Sequence, residues 1–114
     1  MPRLRRKHLP HRIIVTRLAG EGAEGLTYAT PVTDVPAYVE QKSKLVVDRR
    51  SSSPTVGQEI TAATFIVLLT ADDVLPASKV TVGVGTARER EAEVIDSAFF
   101  QYPRTPSHVE IWAT

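Results

Sequence analysis

The most continuously apolar part of the pattern lies in residues 59–70, where Ala62, Thr64, Ile66 and Leu68 fall on one side of an extended chain and Ala63, Phe65, Val67 and Leu69 on the other. Its richness in Thr, Ile, Val and Phe predicts a strand, expected to be the longest and most buried of the chain. Residues 12–18 alternate and stop at Gly20, and residues 21–25 carry two of the six glycines and predict a hairpin connection. A short return strand over 26–29 ends at Pro31. Residues 37–47 are read as a strand with a bulge or bend, because Tyr38, Gln41 and Lys44 do not share one strand face; a short helix is the alternative reading. Asp72, Asp73 and Pro76 mark a turn before a strand over 80–84. Residues 85–89 form a tight connection to a strand over 90–97, with Glu91, Glu93 and Ile95 opposite Ala92, Val94 and Asp96, against a competing helical propensity in 87–93. A last alternating strand includes Val109, Glu110, Ile111 and Trp112. About six or seven short strands without a long helix predict an all-β fold, a small antiparallel barrel or sandwich.

Composition bounds this picture. A chain of 114 residues is expected to form one domain, here 12–114, behind an extended basic arm over 1–11. With no cysteine there is no disulfide, thiolate metal site or cysteine nucleophile. The longest apolar run, 65–69, is too short to span a bilayer as a helix, and Ile13, Ile14 and Val15 are too few for the apolar region of a signal peptide, so no membrane partner and an intracellular site of synthesis are expected. The net charge of +1 conceals an asymmetry: Arg3, Arg5, Arg6, Lys7, Arg12 and Arg17 crowd residues 1–17, which hold no acid, whereas all thirteen acids lie beyond. Such an arm binds nucleic-acid phosphate or docks on the acidic body of a neighbouring copy, and the sequence leaves both open.

Candidate chemistry is sparse. His8 and His11 sit on the arm, far in sequence from His108, and a zinc site needs three or four well-held ligands, so no metal is expected. Asp72 with Asp73, and Glu89, Glu91 and Glu93, supply carboxylates; alternation of the latter with Arg88 and Arg90 is the pattern of a solvated strand face, and no catalysis is expected. Gly83-Val84-Gly85 lacks the third glycine, the lysine and the following helix of a phosphate-cradling loop, so no cofactor is expected either. The most polar loop is Asp48, Arg49, Arg50, Ser51, Ser52, Ser53, Pro54, Thr55, Val56 and Gly57, read as mobile, its serines spacers without nucleophile-elbow glycines. Trp112, with Phe65, Phe99, Phe100 and Tyr102, is read as core or subunit interface. His108 is read as a turn side chain that ties the last strand to its neighbour.

A Pro-x-x-Pro-polar-His turn runs into the terminal strand at Pro103, Arg104, Thr105, Pro106, Ser107, His108, Val109, Glu110 and Ile111. Leu9, Pro10 and His11 open the first strand. A Pro-Val segment lies within 28–40, a Pro-x-Ser-x-Val-Thr turn and strand at Pro76, Ser78, Lys79, Val80 and Thr81, and a further strand over 91–95. In this order, across about residues 9–113, these pieces resemble the head-to-tail stopper (head closure) proteins of long-tailed bacteriophages, with Ser107 where the family often has Asp. The resemblance implies a non-enzymatic structural virion protein in the phage neck, made in the host cytoplasm. It implies a homo-oligomeric ring of six or twelve copies, a connector (adaptor) protein on the portal side, a tail terminator protein on the tail side, and packaged double-stranded DNA in the channel. It also implies a loop that projects from each copy to help close that channel, for which 48–57 is the candidate; the alternative reading of 48–57 is a disordered surface hairpin. The alternatives are another neck or tail-completion protein, or a small β-barrel nucleic-acid-binding module that uses Arg3, Arg5, Arg6, Lys7 and Arg12.

Overall fold

A computed structural model describes residues 9–22, 25–50, 53–100 and 107–114. They form eight strands: β1 (His11–Thr16), β2 (Leu18–Gly22), β3 (Gly25–Tyr28), β4 (Val32–Val47), β5 (Glu59–Leu68), β6 (Lys79–Val82), β7 (Arg90–Phe100) and β8 (His108–Ala113), with one 3-10 turn at Thr70–Asp72. Six of them close into an antiparallel barrel in the order β1-β4-β5-β8-β7-β6, and β2 pairs only with β3. The all-β expectation holds, with one strand more than the upper count.

The barrel interior is packed with side chains. Ile13 and Val15 of β1, Val35 and Ala37 of β4, Ile66 and Leu68 of β5, Val80 and Val82 of β6, Ala92 and Val94 of β7, and Val109, Ile111 and Ala113 of β8 form one buried cluster, joined by Val74. Each fully buried Val, Ile or Leu is worth roughly 1.5–3 kcal/mol of transfer free energy. A core so filled leaves no passage along the barrel axis.

Closing six strands requires sharp bends, and three bulges supply them. Ile13 pairs with Val35 but Val15 with Val32, so β4 carries one extra residue there; Asp34, within it, adopts a φ of 59°. Gln41 pairs with Thr64 but Lys44 with Ala62, which sets Lys42 and Ser43 against Ala63. Val94 pairs with Ala113 but Asp96 with Trp112, which leaves Ile95 as the extra residue of β7. The last bulge overturns the expected facing of β7: Ile95 is buried next to Val94 instead of lying outside with Glu91 and Glu93.

Other expectations are corrected. The segment 12–18 is broken at Arg17 into β1 and β2, which belong to different sheets. The longest strand is β4, with 16 residues, not β5, with 10. It starts at Val32 rather than 37 and runs through Pro36, which lies opposite Arg12. The expected arm ends earlier than residue 11: Leu9 is buried and His11 starts β1. The two faces of β5 stand as expected, and the structure turns Ala62, Thr64, Ile66 and Leu68 inward.

Candidate functional site

The β4–β5 hairpin reaches past the strand pairs that close the barrel. β5 pairs with β8 from Thr64 to Leu68, while its earlier residues, from Glu59 to Ala62, pair only with Lys44–Val47 of β4. A second small core anchors this extension: Val46, Ala62 and Ile95 are buried, with Ile60 and Trp112 packed against them. The displaced Ile95 of the β7 bulge, with Trp112 of β8, therefore packs against the hairpin.

At the hairpin's end, the described residues of 48–57 form a cross-braced turn, not the free polar loop expected. Asp48 accepts the Arg50 backbone N–H at 3.0 Å, the turn that an Asp makes with the residue two positions on. Its oxygens also accept Arg50 Nε at 2.9 Å, Arg50 Nη2 at 3.0 Å and the Thr55 hydroxyl at 2.6 Å. Arg50 Nη1 reaches over to Glu93 on β7 at 2.9 Å, and Arg49 N–H donates to the carbonyl of Ile95 at 3.0 Å. Gly57, at a φ of 82°, returns its N–H to the Asp48 carbonyl at 2.9 Å. The Asp48 side chain is 0% exposed and that of Arg50 15%. Its bonds with Arg50, Ser53 and Thr55 outweigh the cost of burial and hold the Asp48 carboxyl far below the usual carboxylate range, while Asp48 first and Glu93 second raise the Arg50 guanidinium. Ser51 and Ser52 lie outside the described residues.

The other candidate residues are dispersed. Arg3, Arg5, Arg6 and Lys7, with His8, lie outside the described residues, as do Thr105 and Pro106. Arg12 is in β1, its guanidinium donating to the carbonyls of Leu9 at 2.8 Å and His11 at 2.9 Å. His11 Nδ1 accepts the Val39 N–H at 3.0 Å. His108 is the first residue of β8 and not part of a turn. It stacks on Phe100 of β7 at 5.0 Å and binds Glu110 at 2.8 Å through Nε2, so it does link the last strand to its neighbour. Val109 and Ile111 are core residues and Glu110 faces outward.

Trp112 lies on the outer surface, tilted against Phe65 at 4.6 Å between ring centroids. The ammonium groups of Lys42 and Lys44 sit 4.6 Å from the Phe65 ring and 4.9 Å from the Trp112 ring, respectively.

Sequence reasoning missed three groups. Glu93 belongs to the row expected to be solvated, yet it is the third member of the ion-pair cluster. Arg90 binds Thr64, Gln41 at 3.3 Å and the Thr114 carbonyl at 2.9 Å across one end of the barrel. A fully buried Thr64 in an otherwise apolar inward row was the available signal, because a buried hydroxyl demands a partner. The third group is a cleft of about 410 Å³ beside that end, lined by His11, Arg12, Gln41 and Arg88 among others. No three of the described His, Asp and Glu residues come together as metal ligands do. No known protein family, curated protein or solved structure matches the chain.

Proposed function

We propose that this chain is a structural virion protein, a head-to-tail stopper subunit whose ring closes the DNA channel of a phage neck after packaging and offers the tail its docking surface. The observation that carries this reading is the anchored β4–β5 hairpin, which carries the polar turn 48–57 beyond a filled barrel. It is the segment that the sequence resemblance assigns to channel closure. A filled barrel with an outreaching hairpin is the shape a ring subunit needs: rigid bodies contact side by side and projecting elements converge on the axis. The Asp48–Arg50–Glu93 cluster suits the same role, because it fixes the direction in which the hairpin leaves the barrel. On this reading the partners are further copies of the chain in a ring of six or twelve, a connector protein on the portal side, a tail terminator on the tail side, and the packaged duplex.

Electron microscopy of particles made by a phage with a null allele of this gene tests the proposal. Heads emptied of DNA beside free, complete tails are the expected outcome. Intact infectious virions would overturn it.

A further inference from the structure

Past Ala37, β4 leaves β1 and goes on with β5 alone: β1 pairs with it only from Val32 to Ala37, whereas β5 pairs with it from Ala37 to Val47. The next β4 donor on the side that β1 vacates is the Val39 N–H, and it goes to a side chain, donating to Nδ1 of His11 at 3.0 Å. The backbone before His11 cannot continue the ladder. The Leu9 carbonyl already accepts Arg12 Nη1 at 2.8 Å, and Pro10 has no N–H. Arg12 Nη1 also holds the His11 carbonyl at 2.9 Å, and the His11 ring lies 6.0 Å from that of Tyr38, tilted by 47°. An imidazole therefore splices β1 to β4 at the point where strand pairing ends.

It can do so only while Nδ1 carries no proton. A neutral ring with its proton on Nε2 accepts at Nδ1, whereas the imidazolium has N–H groups on both nitrogens and meets the Val39 N–H as a second donor. The surroundings hold no counter-charge for the protonated ring. Arg12 and Arg88 line the same cleft as His11, and no carboxylate does so among the described residues. On β4, Glu40 is paired with Lys42 at 3.7 Å; beside Arg88, Glu89 accepts the Gly85 N–H at 3.2 Å; at the start of β7, Arg90 is bound to Gln41 and to the Thr114 carbonyl. Protonation of His11 thus removes a hydrogen bond and supplies no carboxylate partner in its place.

We propose that His11 is a pH-sensitive splice. Its neutral imidazole holds the end of β1 on β4 at Val39, and its protonation releases β4 there, where the strand continues into the hairpin that carries the turn 48–57. The bond is present while the ring is neutral and is lost as pH falls through the range in which histidines titrate. The device does not rest on the neck assignment, since β1 and β4 of a single copy supply all of it.

Amide hydrogen exchange of the full, isotope-labelled chain, followed by NMR at about pH 7.5 and about pH 5, tests the splice. Rates are read as protection factors, each against the exchange of an unstructured chain at the same pH. A neutral hydrogen bond of ordinary strength corresponds to a factor of about five, so the protection of Val39 is expected to drop about fivefold on acidification. Tyr38 and Glu40, whose N–H groups point at β5 by the alternation of an antiparallel ladder, should keep theirs. His11→Asn, with a side-chain oxygen that accepts but does not titrate, should leave Val39 protected at both pH values, and His11→Phe, with no acceptor, should leave it unprotected at both. His11 is exposed, so neither substitution opens the core. Equal protection of Val39 at the two pH values in the wild-type chain, or the same fall in His11→Phe, overturns the proposal. Ring nitrogen shifts that place the proton of the neutral His11 on Nδ1 overturn it as well.

Discussion

Replacing Asp48 by Ala removes the centre of the ion-pair cluster and leaves Arg50 in a site where its side chain is 15% exposed. Three Arg50 hydrogen bonds end on Asp48, from the backbone N–H, Nε and Nη2, and the Thr55 hydroxyl contributes a fourth. Removing one partner of a buried pair costs about 3–5 kcal/mol, chiefly because the remaining charge is stranded. Glu93 moderates this by retaining Arg50 Nη1 at 2.9 Å, so the lower half of the range is expected. For a domain of this size, 1 kcal/mol corresponds to about 4 °C in Tm, which gives a fall of about 12–16 °C. The double variant Asp48→Ala/Arg50→Met is expected to recover part of the loss, because no charge remains buried without its partner. Glu93→Gln should cost only about 1 kcal/mol, since Glu93 is 33% exposed and solvent screens its pair. Thermal unfolding of the wild-type chain and these three variants, followed by circular dichroism at pH 7, gives the comparison. A fall of less than 4 °C for Asp48→Ala, or a double variant less stable than the single, refutes the claim that this pair organises the hairpin end.

The Asp48 carboxyl lies below its unfolded value of about 3.9, so its contribution to stability is complete above about pH 5 and is lost as pH falls through 4 toward the depressed folded value; Asp48→Asn should flatten this acid limb in urea titrations from pH 6 to 2. Gly83 and Gly85 have φ values of 68° and 80°, but a Cβ on Gly83 would meet the Arg88 carbonyl oxygen at 2.8 Å, whereas one on Gly85 meets nothing within 4 Å. Gly85→Ala should therefore cost about 1 kcal/mol and Gly83→Ala clearly more than 2 kcal/mol by urea denaturation, and equal costs would contradict the tight turn. Trp112→Ala removes the contact with Phe65 and the partner of Val46, Ala62 and Ile95, with an expected loss of about 2–3 kcal/mol, less than for a fully buried Trp; hydrogen exchange should rise in 44–47 and 59–62 before the barrel strands.

The regular part of this fold was legible in the sequence because burial on one face imposes a period of two. β5 shows it in part: Ala62, Thr64, Ile66 and Leu68 share one face as their spacing requires, but the opposite row is equally apolar, and only the barrel's closure turns the first row inward. Bulges break that inference, since one extra residue reverses every facing that follows. Glu91, Glu93 and Ile95 share a parity, yet Ile95 is buried because the chain gains a residue there to bend around the barrel. Tyr38, Gln41 and Lys44 did betray the bulge in β4, since the frame shift fell among large polar side chains. Pro36 misled in the other direction: the expected strand 37–47 begins just after it, but β4 carries it opposite Arg12. At the hairpin end, the polar composition of 48–57 hid order, because Asp48 finds its partners in Arg50 and Thr55 within a few residues and in a distant strand through Arg50. Glu93 is 43 positions from Arg50, and pairing over that distance depends on the barrel's register and not on any local pattern.

The most direct test of the account is a reconstruction by electron cryomicroscopy of the neck in mature phage particles that carry this protein. The account predicts a ring of six or twelve six-stranded barrels between the portal-side connector and the tail terminator, with the turn 48–57 of each copy directed at the channel axis. Barrels placed elsewhere in the particle, or a ring whose 48–57 turns point away from the DNA, would contradict it.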